Sequence, residues 1–129
     1  MKERIVLEWF GGCNRRDWDA IKALYAEDAV IHGKEGILRG GDGVVTVAKK
    51  WLTAIPDGVV TPVYSTCEGE VIVVHWRMEG TLKGSIRDIA ATGKKVVFHG
   101  LTCFRCRNQT VVEHWAAVDY RPLTQEVCV

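Results

Sequence analysis

The sequence predicts an α+β domain in which three N-terminal helices pack on one face of a curved antiparallel sheet. Two observations predict it. Over residues 2–55 apolar side chains recur at spacings of three and four, and from residue 59 onward the period falls to about two. The 129 residues are 47% hydrophobic with no repeat or change of composition, so a single domain over 1–129 with one core is expected.

Residues 2–13 place Ile5, Trp9 and Cys13 on one helical face, with Val6 and Phe10 beside it. After Asn14-Arg15-Arg16, Asp17 is suited to cap a second helix from Trp18 to about Tyr25, whose inward stripe is Trp18, Ile21, Leu24 and Tyr25. Asp28-Ala29-Val30-Ile31-His32, stopped by Gly33, reads as a brief strand before a polar loop from Lys34 to Gly40. Asp42 then caps a third helix carrying Val44, Val47, Ala48, Trp51 and Ile55 inward, and Pro56 ends it. Residues 59–67, 70–79, 95–107 and 110–119 read as four strands, with Glu68-Gly69-Glu70 and Arg107-Asn108-Gln109 as hairpin turns. In 70–79 the set Ile72, Val74, Trp76 and Met78 should face the helices, and Val71, Val73, His75, Arg77 and Glu79 the other side. That other side also receives Glu113, Trp115 and Ala117, and an aromatic there predicts a homodimer formed through the outer sheet face.

Seventeen basic against sixteen acidic residues give a charge of +1, which lacks the field that steers proteins to nucleic acid or anionic membrane; neither is expected as a partner. The start Met1-Lys2-Glu3-Arg4-Ile5-Val6-Leu7-Glu8 has no apolar run of signal-peptide type, and no segment approaches the ~20 apolar residues of a span, so a cytoplasmic location is expected. The odd set Cys13, Cys67, Cys103, Cys106 and Cys128 fits reduced thiols there. Cys103 and Cys106, three apart in a strand, point to opposite faces, and the four histidines have no helical i, i+4 pair, so no metal is expected. Without Gly-x-Gly-x-x-Gly, Gly-Lys-Ser/Thr or Gly-x-Ser-x-Gly, a nucleotide cofactor and a serine esterase are disfavoured, and no cofactor is expected.

Four short segments occur in a telling order: Trp51-Leu52-Thr53-Ala54-Ile55-Pro56-Asp57-Gly58, Gly80-Thr81-Leu82-Lys83-Gly84, Ala91-Thr92-Gly93-Lys94, and Glu113-His114-Trp115 with Asp119. Preceded by Tyr25-Ala26-Glu27-Asp28-Ala29-Val30, they resemble the SnoaL-like polyketide cyclase, or ester cyclase, family across nearly the whole chain. The resemblance implies the nuclear transport factor 2-like cone, an α+β barrel of about six curved strands and three helices, commonly dimeric, with a ligand between sheet and helices. It also implies, for the ring-closing enzymes of the family, an acid/base aspartate two residues after a strand histidine; counted from His114, that position is Ala116. Their second group, a histidine on the preceding strand, falls near Thr102. The related ketosteroid isomerases would place a base at Gly33, beside His32, and an oxyanion tyrosine near Trp9. Neither chemistry carries over residue by residue, so function has to be read from the residues present.

His114 shares its strand side with Ala116 and Val118 and so belongs to the pocket wall, where an imidazole suits acid/base work near neutrality. His32, at the end of its strand, is the second catalytic candidate, as a base or as the group that orients a water. Trp9, Tyr25, Trp51, Trp76, Met78 and Phe98, with Thr102 and Ala116, are the expected ligand-contacting wall, which suits a flat hydrophobic molecule with a few oxygens. Asp119, by parity beside Trp115, reads as a salt-bridge or capping residue, Asp28 as a turn-former, Asp57 as part of the Pro56-Asp57-Gly58 turn, and His75 and His99 as outward residues. Two functions fit: a cyclase, isomerase or hydrolase acting on a polyketide- or terpenoid-like compound, or a carrier that holds such a ligand without turnover. A protein-interaction module built on the same fold is the third reading.

Overall fold

The computed structural model describes residues 2–34 and 36–124. Helices α1 (Lys2–Arg15) and α2 (Trp18–Lys22) lead into strands β1 (Tyr25–Gly33) and β2 (Gly36–Arg39). Helix α3 (Gly40–Ala54) follows, then β3 (Val59–Glu68), β4 (Val71–Thr81), β5 (Lys95–Arg107), β6 (Thr110–Val118) and a 3-10 turn over Arg121–Leu123. The strands form one sheet in the order β2-β1-β6-β5-β4-β3. All neighbours are antiparallel except β1 and β6, which run parallel. Among the described residues no helix is long and apolar enough to cross a membrane.

Alternation does most of the work. In β4, Ile72, Val74, Trp76 and Met78 are all buried, and in β5 the even residues from Val96 to Cys106 are buried while their neighbours face out. The inner set meets Ile5, Phe10 and Cys13 of α1 and Val44, Val45 and Leu52 of α3 in one apolar core. A residue with no side chain is required at one point of this face. Gly100 pairs with Trp76 across β4 and β5, and a Cβ there would come within 2.1 Å of the indole. Asn108 and Gln109 both take positive φ, 51° and 64°, the backbone of a two-residue hairpin turn matched to strand twist.

Three boundaries differ from the pattern of the sequence. Helix α2 is five residues long and Tyr25 opens β1 instead of closing the helix, because the Leu24 carbonyl accepts from Val111 N at 2.8 Å and the chain is drawn into the sheet. The supposed loop 34–40 contains β2, which pairs Ile37 with His32 and Leu38 with Ile31. Asp42 does not cap α3: the helix begins at Gly40, whose φ of +67° suits glycine, and Asp42 instead sits 2.9 Å from Lys22 Nζ, tying α3 to α2. Asp28 lies exposed within β1 and not at a turn.

Asp57 does more than make its turn. Its carboxylate accepts from Thr81 N at 2.7 Å and from Thr81 Oγ1 at 2.8 Å, pinning the end of β4 to the α3–β3 connection. Asp119 pairs with Arg121 at 2.7 Å, in keeping with its reading as a salt-bridge or capping residue. Cys103 is half-exposed on the outer face and Cys106 buried on the inner one, while Cys128 lies outside the described residues.

Candidate functional site

A cavity of about 80 Å³, open at one side, lies between the concave sheet face and helices α1 and α3. Helix α1 contributes Trp9, Phe10 and Cys13, and α3 contributes Val44, Val47, Ala48, Trp51 and Leu52. The sheet supplies Val60, Trp76, Met78 and Phe98, then Thr102, His114, Ala116 and Val118. Every wall residue expected from the sequence is there except Tyr25. Because Tyr25 starts a strand, it stands buried behind the wall and touches it through His114.

The polar groups of this apolar chamber are few and ordered. Trp9 Nε1 donates to Tyr25 Oη at 2.9 Å, and Tyr25 Oη lies 2.7 Å from His114 Nδ1. An indole N–H can only donate, so the phenol accepts there, and among the described residues its own hydrogen has no acceptor other than Nδ1; an arrangement that leaves no buried hydrogen unpaired therefore puts the His114 proton on Nε2. Phe104 packs edge-on against the imidazole at 5.3 Å and holds its plane. The tryptophan and tyrosine both carry a polar tip that needs a partner when buried, which is the sequence signal that pairs them.

Burial, with a smaller contribution from the charge of His32, pushes the His114 pKa down to about 4. The ring is therefore neutral at pH 7, which corrects the expectation of an imidazole titrating near neutrality. Burial likewise holds the Tyr25 phenol well above its usual range and the Cys13 thiol up at about 11, so neither is an anion at neutral pH. Beside them Trp76 Nε1 donates to Thr102 Oγ1 at 2.9 Å. Thr102 stands directly opposite Ala116 in the β5–β6 register, so the two positions singled out from the cyclases do share the wall. No carboxylate lines the cavity among the described residues.

His32 is not at this site. Parallel pairing of β1 with β6 sets Ile31 beside His114 and His32 beside Trp115, and strand alternation puts the second pair on the convex face. There His32 stacks on Trp115, with centroids 4.8 Å apart and planes 5° apart, and its Nε2 is 2.8 Å from Glu113 Oε2. Arg105 donates to the other carboxylate oxygen from Nε and Nη2, at 3.0 and 2.8 Å. These bonds, first from His32 and then from Arg105, hold the Glu113 carboxyl below its usual range. His75 and His99 are on the same outer face and bond to each other at 2.8 Å. Among the described residues no three His, Cys, Asp or Glu side chains are placed to hold a metal ion.

A six-stranded curved sheet with three helices over its hollow, and one buried imidazole in an apolar wall, define a protein of the nuclear transport factor 2-like fold with an internal cavity. The profile of the SnoaL-like polyketide cyclases matches residues 4–127, and the chain belongs to that family. Among solved structures it is similar to AclR from Streptomyces galilaeus, a proposed hydroxylase, at 24% identity and TM-score 0.80, over 95% of this chain and 91% of that one. It is similar also to wild-type IdmH from Streptomyces antibioticus, a proposed polyketide cyclase, at 23% identity and TM-score 0.80, over 95% of both chains. A SnoaL-like polyketide cyclase from Agrobacterium tumefaciens strain C58 superposes at TM-score 0.82 with 16% identity, over 95% of this chain and 94% of the other. At such identities the likeness speaks for the fold. No curated protein matches the sequence significantly.

Proposed function

We propose that the chain binds a flat, hydrophobic, polyketide-like carbonyl compound in its cavity and promotes its isomerisation or ring closure through an enol. The observation that carries this reading is the relay from Trp9 through Tyr25 to His114, set in a wall otherwise nearly apolar. A neutral imidazole whose proton is fixed on Nε2 is a hydrogen-bond donor to a carbonyl oxygen. It favours the negative charge that gathers on that oxygen as an α-proton leaves to water at the open mouth. The enol carbon can then attack a second carbonyl of the same molecule, whose oxygen takes up a proton, so that the sum is an isomerisation. The tryptophans at the wall limit competing water.

A second reading, carriage without turnover, is favoured by one observation: Ala116 stands where the ring-closing relatives place their carboxylate, and no other acid replaces it among the described wall residues. The test begins with a thermal-shift screen of aromatic polyketides, steroids and terpenoid epoxides, since a ligand held only by the folded state raises the melting point. Hits are then incubated and followed by NMR for rearrangement. Conversion by wild type that is lost in His114→Ala supports the enzyme; tight binding with no conversion supports the carrier; no hit at all overturns both.

The same reading includes a second copy of the chain on the outer sheet face. Leu101 is 51% exposed there and Val97 and Trp115 each 39%, while the Glu113 carboxylate is already bonded to both Arg105 and His32 within the face. A cytoplasmic setting goes with it, supported by four thiols that form no disulfide among the described residues.

A further inference from the structure

A second recess adjoins the cavity, and Val47 belongs to the walls of both. Beyond Val47 the character changes. The recess is bordered by Lys34 from the β1–β2 turn, Lys50 from α3 and Arg87 from the β4–β5 connection, and no acidic side chain lines it among the described residues.

Arg87 is the unusual member. Its φ of +55° is one that a side-chain-bearing residue seldom adopts, and it is imposed by a tight turn in which Ile86 and Ile89 exchange both backbone hydrogen bonds, at 3.0 and 2.9 Å. The turn carries the guanidinium over the Trp51 ring, 6.0 Å from its centroid. Its Nε is buried, yet it is the one buried side-chain nitrogen or oxygen among the described residues that has no hydrogen-bond partner. A half-buried guanidinium whose buried Nε meets no acceptor among the described residues is costly, and the cost is removed by an anion.

Its neighbours share the arrangement. Trp51 stacks on Tyr120 at 6.0 Å, and Lys34 Nζ lies 5.3 Å from the centre of the Tyr120 ring, so two cations cap the ends of one aromatic pair. Lys34 is also 3.9 Å from Asp88, a carboxylate 87% exposed and therefore weakly held. Lys50 has no ion-pair partner among the described residues.

We propose that this recess receives an acidic group, a carboxylate or a phosphate ester, carried by the ligand whose apolar body fills the cavity. The inference rests on the cavity reading above and narrows it: the ligand is an amphipathic acid with one oxygen at His114 and its charge past Val47, against Arg87, Lys50 and Lys34. The side of Trp51 that faces the cavity then contacts the ligand's apolar part while Arg87 on the same ring meets its anion.

The test compares three probes of one apolar body by calorimetry: methyl naphthoate, naphthoate and naphthyl phosphate. In wild type at least one anion should bind about tenfold more tightly than the neutral ester, and the advantage should shrink at high salt. In Arg87→Gln and in Lys50→Gln, each first checked for an unchanged circular dichroism spectrum, the ratio of anion to ester affinity should fall toward one. Lys50 is exposed on a helix, so its variant keeps the test open if Arg87→Gln does not fold. Ester binding with no preference for either anion, or a preference that both variants keep, overturns this proposal and leaves the cavity reading intact. If none of the three probes binds, the cavity reading falls and this one with it.

Discussion

The Tyr25 hydroxyl lies 2.7 Å from His114 Nδ1, joining the first residue of β1 to the middle of β6 at the base of the cavity. This bond decides what kind of group His114 is. With Nδ1 occupied as an acceptor and burial holding the pKa near 4, the imidazole offers a fixed N–H donor over the whole physiological range.

The pH dependence of stability follows with a definite sign. The His114 pKa lies below the 6.5 of an unperturbed histidine, so between these values the unfolded chain binds the proton and the folded one does not. Stability contributed at this site is complete above about pH 6.5 and lost progressively down to about pH 4, with a total on the order of 3 kcal/mol. Urea melts of wild type and His114→Gln at pH 7 and near pH 4.5 measure it: the wild type should lose more stability than the variant, and parallel losses would refute the assignment.

Tyr25→Phe removes one oxygen and strands both the Trp9 N–H and His114 Nδ1. A loss of about 1–3 kcal/mol is expected, since buried groups then go unpaired. Nitrogen-15 chemical shifts of the imidazole supply a second readout, because wild type should show a single tautomer protonated at Nε2 and the variant should not.

Gly100→Ala places a methyl group 2.1 Å from the present position of the Trp76 ring. The indole must move, its bond to Thr102 Oγ1 is broken, and a loss of about 1–3 kcal/mol is expected from overpacking. A midpoint of denaturation equal to wild type would mean that the ring is not packed against this strand.

Leu101→Glu sets a charge at the centre of the outer face, close to Ala117, its partner across β5 and β6. If two copies associate through this face, sedimentation should detect a dimer for wild type and a monomer for the variant, with the cavity ligand still bound. A wild-type monomer at all concentrations removes the dimer from the proposed function.

Ala116→Asp restores a carboxylate opposite Thr102 and two residues from His114 on the same side of β6. A negative charge there favours the imidazolium, so the His114 pKa should rise from about 4, read by NMR titration. An unchanged titration would place the new carboxylate outside the cavity.

Much of this was legible in the chain. The period of about two in 70–79 gave the inner face residue by residue, and the parity of 110–119 put His114 with Ala116 and away from Trp115, because a strand's alternation is a local property. The helical stripe of α3 named Val47 and Trp51 as inward for the same reason. What alternation within one strand does not contain is how strands lie against each other. His32 shares a strand with Ile31 and is the second catalytic candidate by sequence, but the parallel β1–β6 pairing puts it outside, on Glu113 and Trp115. Tyr25 fitted a helix until Val111 drew its neighbour's carbonyl into the sheet. The relay to His114 spans 89 residues of sequence and the Arg87–Trp51 contact depends on a turn held by Ile86 and Ile89. Sequence determined which side chains of one strand or helix share a face, since that follows from local periodicity; the tertiary structure decided which face of β1 turns inward and which side chains meet, since register and crossing of distant segments are set by packing the whole core at once.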